Sequence, residues 1–328
     1  MGEETALYMV VDVDSSEYRY VVYRIEMDTI SRSPTSTMPA LPEPALVLGR
    51  EFPAGMAFFS FGSRIYMLGS RSRKAPSRRV VIYDTVSGHL GVTNQHMHTP
   101  KYGPIVIQPV KPFDDRVFVL SRDLCGHDLE VFYPDGDDSG WTFIGAPSCF
   151  ILKPFVCVRC HATVLDGFIL LINTNVVFYY NIPKKIWRIV TESSPNFSFL
   201  QPSVFANDIS MWFYYCDDYL CGYHVDSNME EMFKIGELPL LYFNHREPPP
   251  LSDLRNDLLY LGDLMFCMVR TGCDGDAGDW CGHDPAPRIQ ATVIVFQVDP
   301  SANAILEERS TTYDIDVLDA SVCACFVI

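Results

Sequence analysis

Three clusters in this 328-residue chain carry residue types able to do chemistry. The richest runs Cys273-Asp274-Gly275-Asp276-Ala277-Gly278-Asp279-Trp280-Cys281-Gly282-His283-Asp284. Thiolates and imidazole suit zinc, and alternating carboxylates suit calcium. Cys273, Asp274, Asp276, Asp279, Cys281 and His283 are therefore the weak metal-ligand candidates. The pattern is incomplete on both counts. Pro285 stands where a calcium loop needs its bidentate Glu, and Cys-x7-Cys-x-His offers zinc only three ligands. An acidic surface loop is the simpler reading. Cys157-Val158-Arg159-Cys160 followed by His161 is a C-x-x-C, compatible with zinc or redox chemistry. No second C-x-x-C follows at zinc-ribbon spacing, and the motif enters a strand rather than a helix. Packed or partly exposed thiols are the simpler reading there.

The third cluster, Arg71-Ser72-Arg73-Lys74-Ala75-Pro76-Ser77-Arg78-Arg79, holds five basic residues in nine. It fits a nuclear-import signal, a patch for an acidic partner, or a solvated loop. His96 and His98 lie close together on a strand-to-strand connection and read as solvated. The chain has no G-x-S-x-G, no Rossmann fingerprint and no P-loop. The expectation is a non-catalytic protein with no cofactor.

The elements that must position these residues are strands. Hydrophobic residues make up 48% of the chain, and its short Val-Ile-Tyr-Phe runs favour β structure over helix. Acidic residues outnumber basic ones 41 to 25, for a net charge of −16. Such a body repels phosphate backbones and anionic lipid, so neither nucleic acid nor membrane is an expected partner. Eleven cysteines, several inside apolar runs, point to a reducing compartment. The acidic Met1–Thr5 start carries no apolar signal region, and no run is long enough to span a bilayer. An intracellular location, cytoplasmic or nuclear or both, is expected.

A repeat recurs along the chain. Asp84, Pro134, Asn181, Asp226 and Asp299 mark the end of a third strand at intervals of roughly 45–50 residues, the last interval being longer. A fourth strand opens six residues after the marker at Leu90, Trp187, Met232 and Ile305, and seven after it at Trp141. Constant offset is what a tight hairpin requires. Ala6–Asp12, Tyr18–Met27 and Leu46–Leu48 read as second, third and fourth strands lacking a first. The apolar segment Ser321–Ile328 supplies the missing first strand. The expected fold is an all-β, six-bladed propeller of four-stranded antiparallel blades, closed by pairing the C-terminal strand with the N-terminal blade. Residues 1–328 form one domain, with blades near 6–50 plus 319–328, 56–94, 105–145, 160–191, 202–236 and 258–316.

Ile65-Tyr66-Met67-Leu68-Gly69 followed by Val81-Ile82-Tyr83-Asp84 resembles a kelch repeat. Gly69 stands for the first residue of the family's Gly-Gly pair, with Ser70 beside it. Tyr83, Tyr133 and Tyr180 stand at the tyrosine position, and Trp141 and Trp187 at the tryptophan position. The chain is similar to plant kelch and F-box-associated propellers. That resemblance implies a protein-interaction module, with substrate recognition or an adaptor role in ubiquitin-ligase-type assemblies. No F-box region is expected ahead of the first strand. Some kelch-like propellers are copper oxidases or iron-dependent specifier proteins, so a metal-dependent enzyme using loop 273–284 is the alternative. A redox-responsive scaffold using Cys157 and Cys160 is the third.

Blade parity locates the binding face. Second-to-third loops and blade-to-blade connections open at the same end of a blade. The basic loop 71–79 and the two longest insertions, 239–257 and 270–288, share that parity. Protein partners are therefore expected there, at Arg71, Arg73, Lys74, Arg78, Arg79, Tyr242, Phe243, His245, Arg246 and Trp280. Oligomeric state is not legible in the sequence.

Overall fold

The computed structural model describes residues 5–13, 15, 17–30, 39–70, 77–108, 116–121, 129–134, 140–145, 161–165, 168–173, 176–190, 203–206, 208–216, 219–225, 235–237, 241–242, 252–273, 289–299, 304–315 and 320–328. Its regular structure is β apart from a single 3-10 turn, Met27–Thr29. The chain divides into two compact units, one of residues 1–52 with 201–328 and one of residues 53–200.

The first unit opens with β1 (Ala6–Asp12), β2 (Tyr18–Glu26) and β3 (Pro44–Gly49). The second unit holds three four-stranded antiparallel sheets in sequence. They are β4 (Ala57–Phe61) to β7 (His89–Val92) through β5 (Arg64–Leu68) and β6 (Val80–Asp84); β8 (Ile105–Ile107) to β11 (Gly140–Gly145) through β9 (Val117–Leu120) and β10 (Leu129–Tyr133); and β12 (His161–Leu165) to β15 (Ile186–Val190) through β13 (Phe168–Asn173) and β14 (Val176–Asn181). The first unit then resumes. One sheet takes β16 (Ser203–Ala206), β17 (Met211–Cys216), β18 (Tyr219–Val225) and β19 (Ile235–Glu237), with the short β20 (Leu241–Tyr242) also on β18. The next takes β21 (Ser252–Gly262), β22 (Met265–Cys273), β23 (Ile289–Asp299) and β24 (Ala304–Ile315). Five sheets are thus meanders of consecutive strands, the unit from which propellers are built.

The sixth sheet is composite. β25 (Ser321–Val327) pairs antiparallel with β1, in the order β25-β1-β2-β3. The register runs from Leu7 opposite Val327 to Asp12 opposite Ser321, with one irregularity at Val10/Val11. Ala6 and Ile328 exchange both backbone hydrogen bonds at 3.0 Å. β1 is buried almost throughout because strands flank it on both edges and side chains cover both faces. That is why it reads as a continuous apolar run instead of an alternating one.

Outer strands differ in the way edges should. The exposed large hydrophobics Val47, Val92, Phe143, Ile186 and Leu306 all lie on the fourth strand of their sheets, and Val86 lies in a third-to-fourth turn. The marker residues earn their spacing through turn chemistry. Asp84 Oδ1 accepts from the amides of Val86 (3.2 Å) and Ser87 (2.9 Å) and from the Ser87 hydroxyl (3.0 Å). Asn181 Oδ1 accepts from the Lys184 amide at 2.7 Å. Both are Asx turns, in which the side chain substitutes for a backbone acceptor. Across the same hairpins Tyr83 faces Leu90 and Tyr180 faces Trp187, with the Tyr180 and Trp187 ring centroids 4.9 Å apart. In the second sheet Trp141 sits opposite Phe132, and Tyr133 sits opposite Gly140. The seven-residue offset there reflects a tryptophan placed one pair deeper, so Tyr133 is not its partner.

Several sequence expectations need correction in the last two meanders. Strands begin earlier than expected at Ser252 and Ile289, and β22 extends to Cys273. Parts of the two expected insertions, 239–257 and 270–288, are therefore paired strand and not loop. Ser252 lies opposite Cys273, and Cys273 opposite Ile289. In the β16–β19 sheet the described part of the fourth strand is Ile235–Glu237, and the expected start at Met232 lies outside the described residues. The longer strands have one cause. Polar residues such as Asn256, Arg270 and Gln290 look like loop in sequence, yet backbone pairing continues through them.

Candidate functional site

The clearest polar arrangement lies in the second unit, where the connection 93–104 crosses from β7 to β8. This strap is stitched to the first sheet. Ser70 pairs with Tyr102 and Ser77 with Lys101 as isolated bridges. The Ser70 amide donates to Lys101 O (3.1 Å), the Gly103 amide to Ser70 O (2.8 Å), and the Met97 amide to Arg78 O (3.1 Å). Arg78 Nε donates back to Met97 O at 2.8 Å. Gly69 makes the close approach possible. Its φ is +73°, and a Cβ there would stand 2.5 Å from Pro104 Cγ and 3.1 Å from Lys101 O.

The same strap is anchored to the second sheet. Ser121 Oγ accepts from the Tyr102 amide (3.1 Å) and donates to Tyr102 O (3.0 Å). Met97 is fully buried among Phe59, Tyr66, Val119 and Phe132. Those aromatics interlock: Phe59 stacks on Tyr66 at 4.8 Å, and Phe132 meets Tyr66 edge-on at 5.4 Å.

Beneath the strap is an ion pair with no solvent exposure. Lys101 Nζ lies 2.8 Å from Glu130 Oε1, and both side chains are 0% accessible. Glu130 occupies β10 where the pairing with β11 shifts register between Leu129 and Glu130. Its Oε1 also accepts from the Thr99 amide (3.0 Å) and hydroxyl (2.7 Å), and its Oε2 from the His98 amide (2.7 Å). Lys101 Nζ donates to Thr99 Oγ1 at 2.8 Å. Burial pushes the Glu130 carboxyl up; the Lys101 ammonium, with the Thr99 and His98 donors, outweighs it and holds the group below its ordinary value. Every strong contact of this carboxylate is directed at the strap. The arrangement is suited to positioning the strap, and not to general-base work.

On the outer side of the strap, Arg78, Arg79, His96 and His98 are exposed. His98 does not stand free in solvent, contrary to the sequence expectation. Its Nε2 lies 2.9 Å from Trp141 O, and its amide is held by Glu130. The Ser70–Tyr102 and Ser77–Lys101 bridges set the two ends of the β5–β6 connection beside the β7–β8 connection.

The remaining candidates are placed as follows. Tyr242 lies on β20 opposite Tyr219, and Cys273 ends β22; their side chains fall outside the described residues. So do Arg71, Arg73, Lys74, Phe243, His245, Arg246, Asp274, Asp276, Asp279, Trp280, Cys281, His283, Cys157 and Cys160. Among the described residues no group of three or more His, Cys, Asp or Glu could hold a metal ion. Cys221, Cys267, Cys323 and Cys325 are free thiols, and burial pushes Cys267 up to about 12. Sequence reading missed Lys101 and Glu130. The available signal was Glu130 itself, a carboxylate inside the apolar run Leu129–Phe132, where an ionised group requires a partner.

These sheets define an all-β protein of repeated antiparallel meanders of the propeller-blade type. The chain belongs to the family described as "Protein of unknown function (DUF1668)", which matches residues 4–316. No curated protein matches it. Among the described residues no helix is long and apolar enough to cross a membrane.

Proposed function

We propose that the six sheets are the blades of one closed, kelch-like propeller, and that this propeller is a non-catalytic protein-interaction module. Substrate recognition or an adaptor role in a ubiquitin-ligase-type assembly fits that reading, in the cytoplasm or nucleus. One observation carries the interaction role. The β21–β24 sheet has strands of 11, 9, 11 and 12 residues, against 5, 5, 5 and 4 in the β4–β7 sheet. At about 3.3 Å per residue, its middle strands run on by more than 10 Å. β22 and β23 lead into the connection 274–288, whose Trp280 is the recognition residue of this reading. Paired strands that carry a connecting loop are a common way for a scaffold to present a binding loop.

The test replaces 274–288 with a short Asn-Gly turn and compares partners by affinity purification with quantitative mass spectrometry. Specific partners that disappear with the loop support the reading. An unchanged partner list, from a variant with an unchanged melting curve, overturns it.

A further inference from the structure

Resting on that reading, we infer a second contact surface, at the strap, that takes an extended acidic segment of a protein partner. Arg78 and Arg79 enter β6 side by side, both exposed. Neither is ion-paired to a carboxylate among the described residues. Glu130, the β10 carboxylate that holds the strap, is fully buried and paired with Lys101. Two adjacent exposed arginines make a local basic patch on a body with a net charge of −16.

Geometry adds pre-organisation. Arg78 is fixed by its Nε hydrogen bond to Met97 O. Met97 is plugged into the core, so His96 on its exposed side is held beside the same segment. The Lys101–Glu130 pair and the Ser70 and Ser77 bridges immobilise the backbone below. A ligand meeting this surface orders few side chains, and that is where preformed sites gain affinity. Guanidinium recognises carboxylate in bidentate fashion, so a run of Asp and Glu is the matching chemistry. Polyanionic nucleic acid shares the charge but is opposed by the acidic remainder of the surface.

Fluorescence anisotropy on the full chain tests this with three labelled probes: an Asp/Glu-rich peptide, a Ser/Gly peptide and an oligothymidylate of matched charge. The acidic peptide should bind best, and its affinity should fall roughly tenfold or more between about 50 mM and 500 mM salt. Arg79→Glu should weaken it by roughly tenfold or more, and Arg79→Gln by less. Arg188→Glu, the same charge change at an exposed position on β15, should leave it unchanged. Melting curves establish that the variants are folded. Acidic-peptide binding no tighter than that of the Ser/Gly peptide, equal loss in the Arg79 and Arg188 variants, or tighter binding of the oligothymidylate would each overturn the inference. If partners still depend on 274–288 while Arg79→Glu changes nothing, this surface fails and the interaction role stands.

Discussion

Replacing Glu130 with Gln should be among the most damaging single changes that preserve side-chain shape. The substitution removes the carboxylate paired with Lys101 while keeping the volume of the side chain. Both groups are completely buried, so water cannot take over the role of the lost charge. Breaking a buried pair by deleting one partner costs about 3–5 kcal/mol. Against a domain stability of about 5–15 kcal/mol, that is a large share. Lys101→Met leaves the opposite orphan, a carboxylate still holding three donors from His98 and Thr99. The double variant Lys101→Met with Glu130→Gln leaves neither charge behind. Its cost should fall short of the sum of the singles by about 2 kcal/mol or more. Equilibrium urea unfolding followed by far- and near-UV circular dichroism measures the cycle. Hydrogen exchange at the amides of His98 and Thr99 reports whether the strap loosens locally first. A Glu130→Gln variant within about 1 kcal/mol of the parent, or strictly additive singles, would refute the claim that this pair holds the strap.

The same carboxyl predicts an acid dependence. Its folded value lies below the ordinary one, so its contribution is complete above the unfolded pKa of about 4.3 and fades as pH falls through the folded value. The parent's urea midpoint should therefore drop on acidification below that range, and the Glu130→Gln variant should show a shallower drop. Gly69→Ala should cost about 2 kcal/mol or more, because it combines a φ of +73° with a Cβ 2.5 Å from Pro104; an unshifted thermal midpoint would argue against that close approach. Deleting Ser321–Ile328 should uncover the edge of β1 and the apolar Leu7–Val11, giving aggregated protein in size-exclusion chromatography; a soluble, cooperatively melting product would show that β25 is dispensable. Cys267, buried and with its thiol pushed up to about 12, should resist alkylation near neutral pH until denaturant is added; rapid labelling of the native chain, mapped by mass spectrometry, would contradict its burial.

Much of the architecture could be read from residue order alone. Strand-forming runs, the Asx-turn markers Asp84 and Asn181, and the need of Ala6–Asp12 for a neighbour are local facts. They follow from backbone preference and from a two-residue side-chain period. The pairing of Ser321–Val327 with β1 was legible because an apolar strand with two uncovered edges has few other solutions. What the sequence could not show was where local preference yields to neighbours. Asn256, Arg270 and Gln290 look like loop residues, and only the registered sheet around them keeps them in strands.

The three clusters with which the sequence drew attention fared unequally. The acidic run Asp274–Asp284 and the Cys157–Cys160 pair lie outside the described residues. The basic run gained a setting. Its last two arginines precede β6 beside a strap to which Arg78 is hydrogen-bonded, and that strap is pinned by an ion pair between Lys101 and Glu130, residues 29 positions apart in the chain. By itself the sequence determined the strands, their repeat and the charge balance, because each depends on neighbours along the chain. Tertiary structure alone decided which charges are spent inside and which face outward. That choice depends on burial, and burial is set by residues far away in sequence.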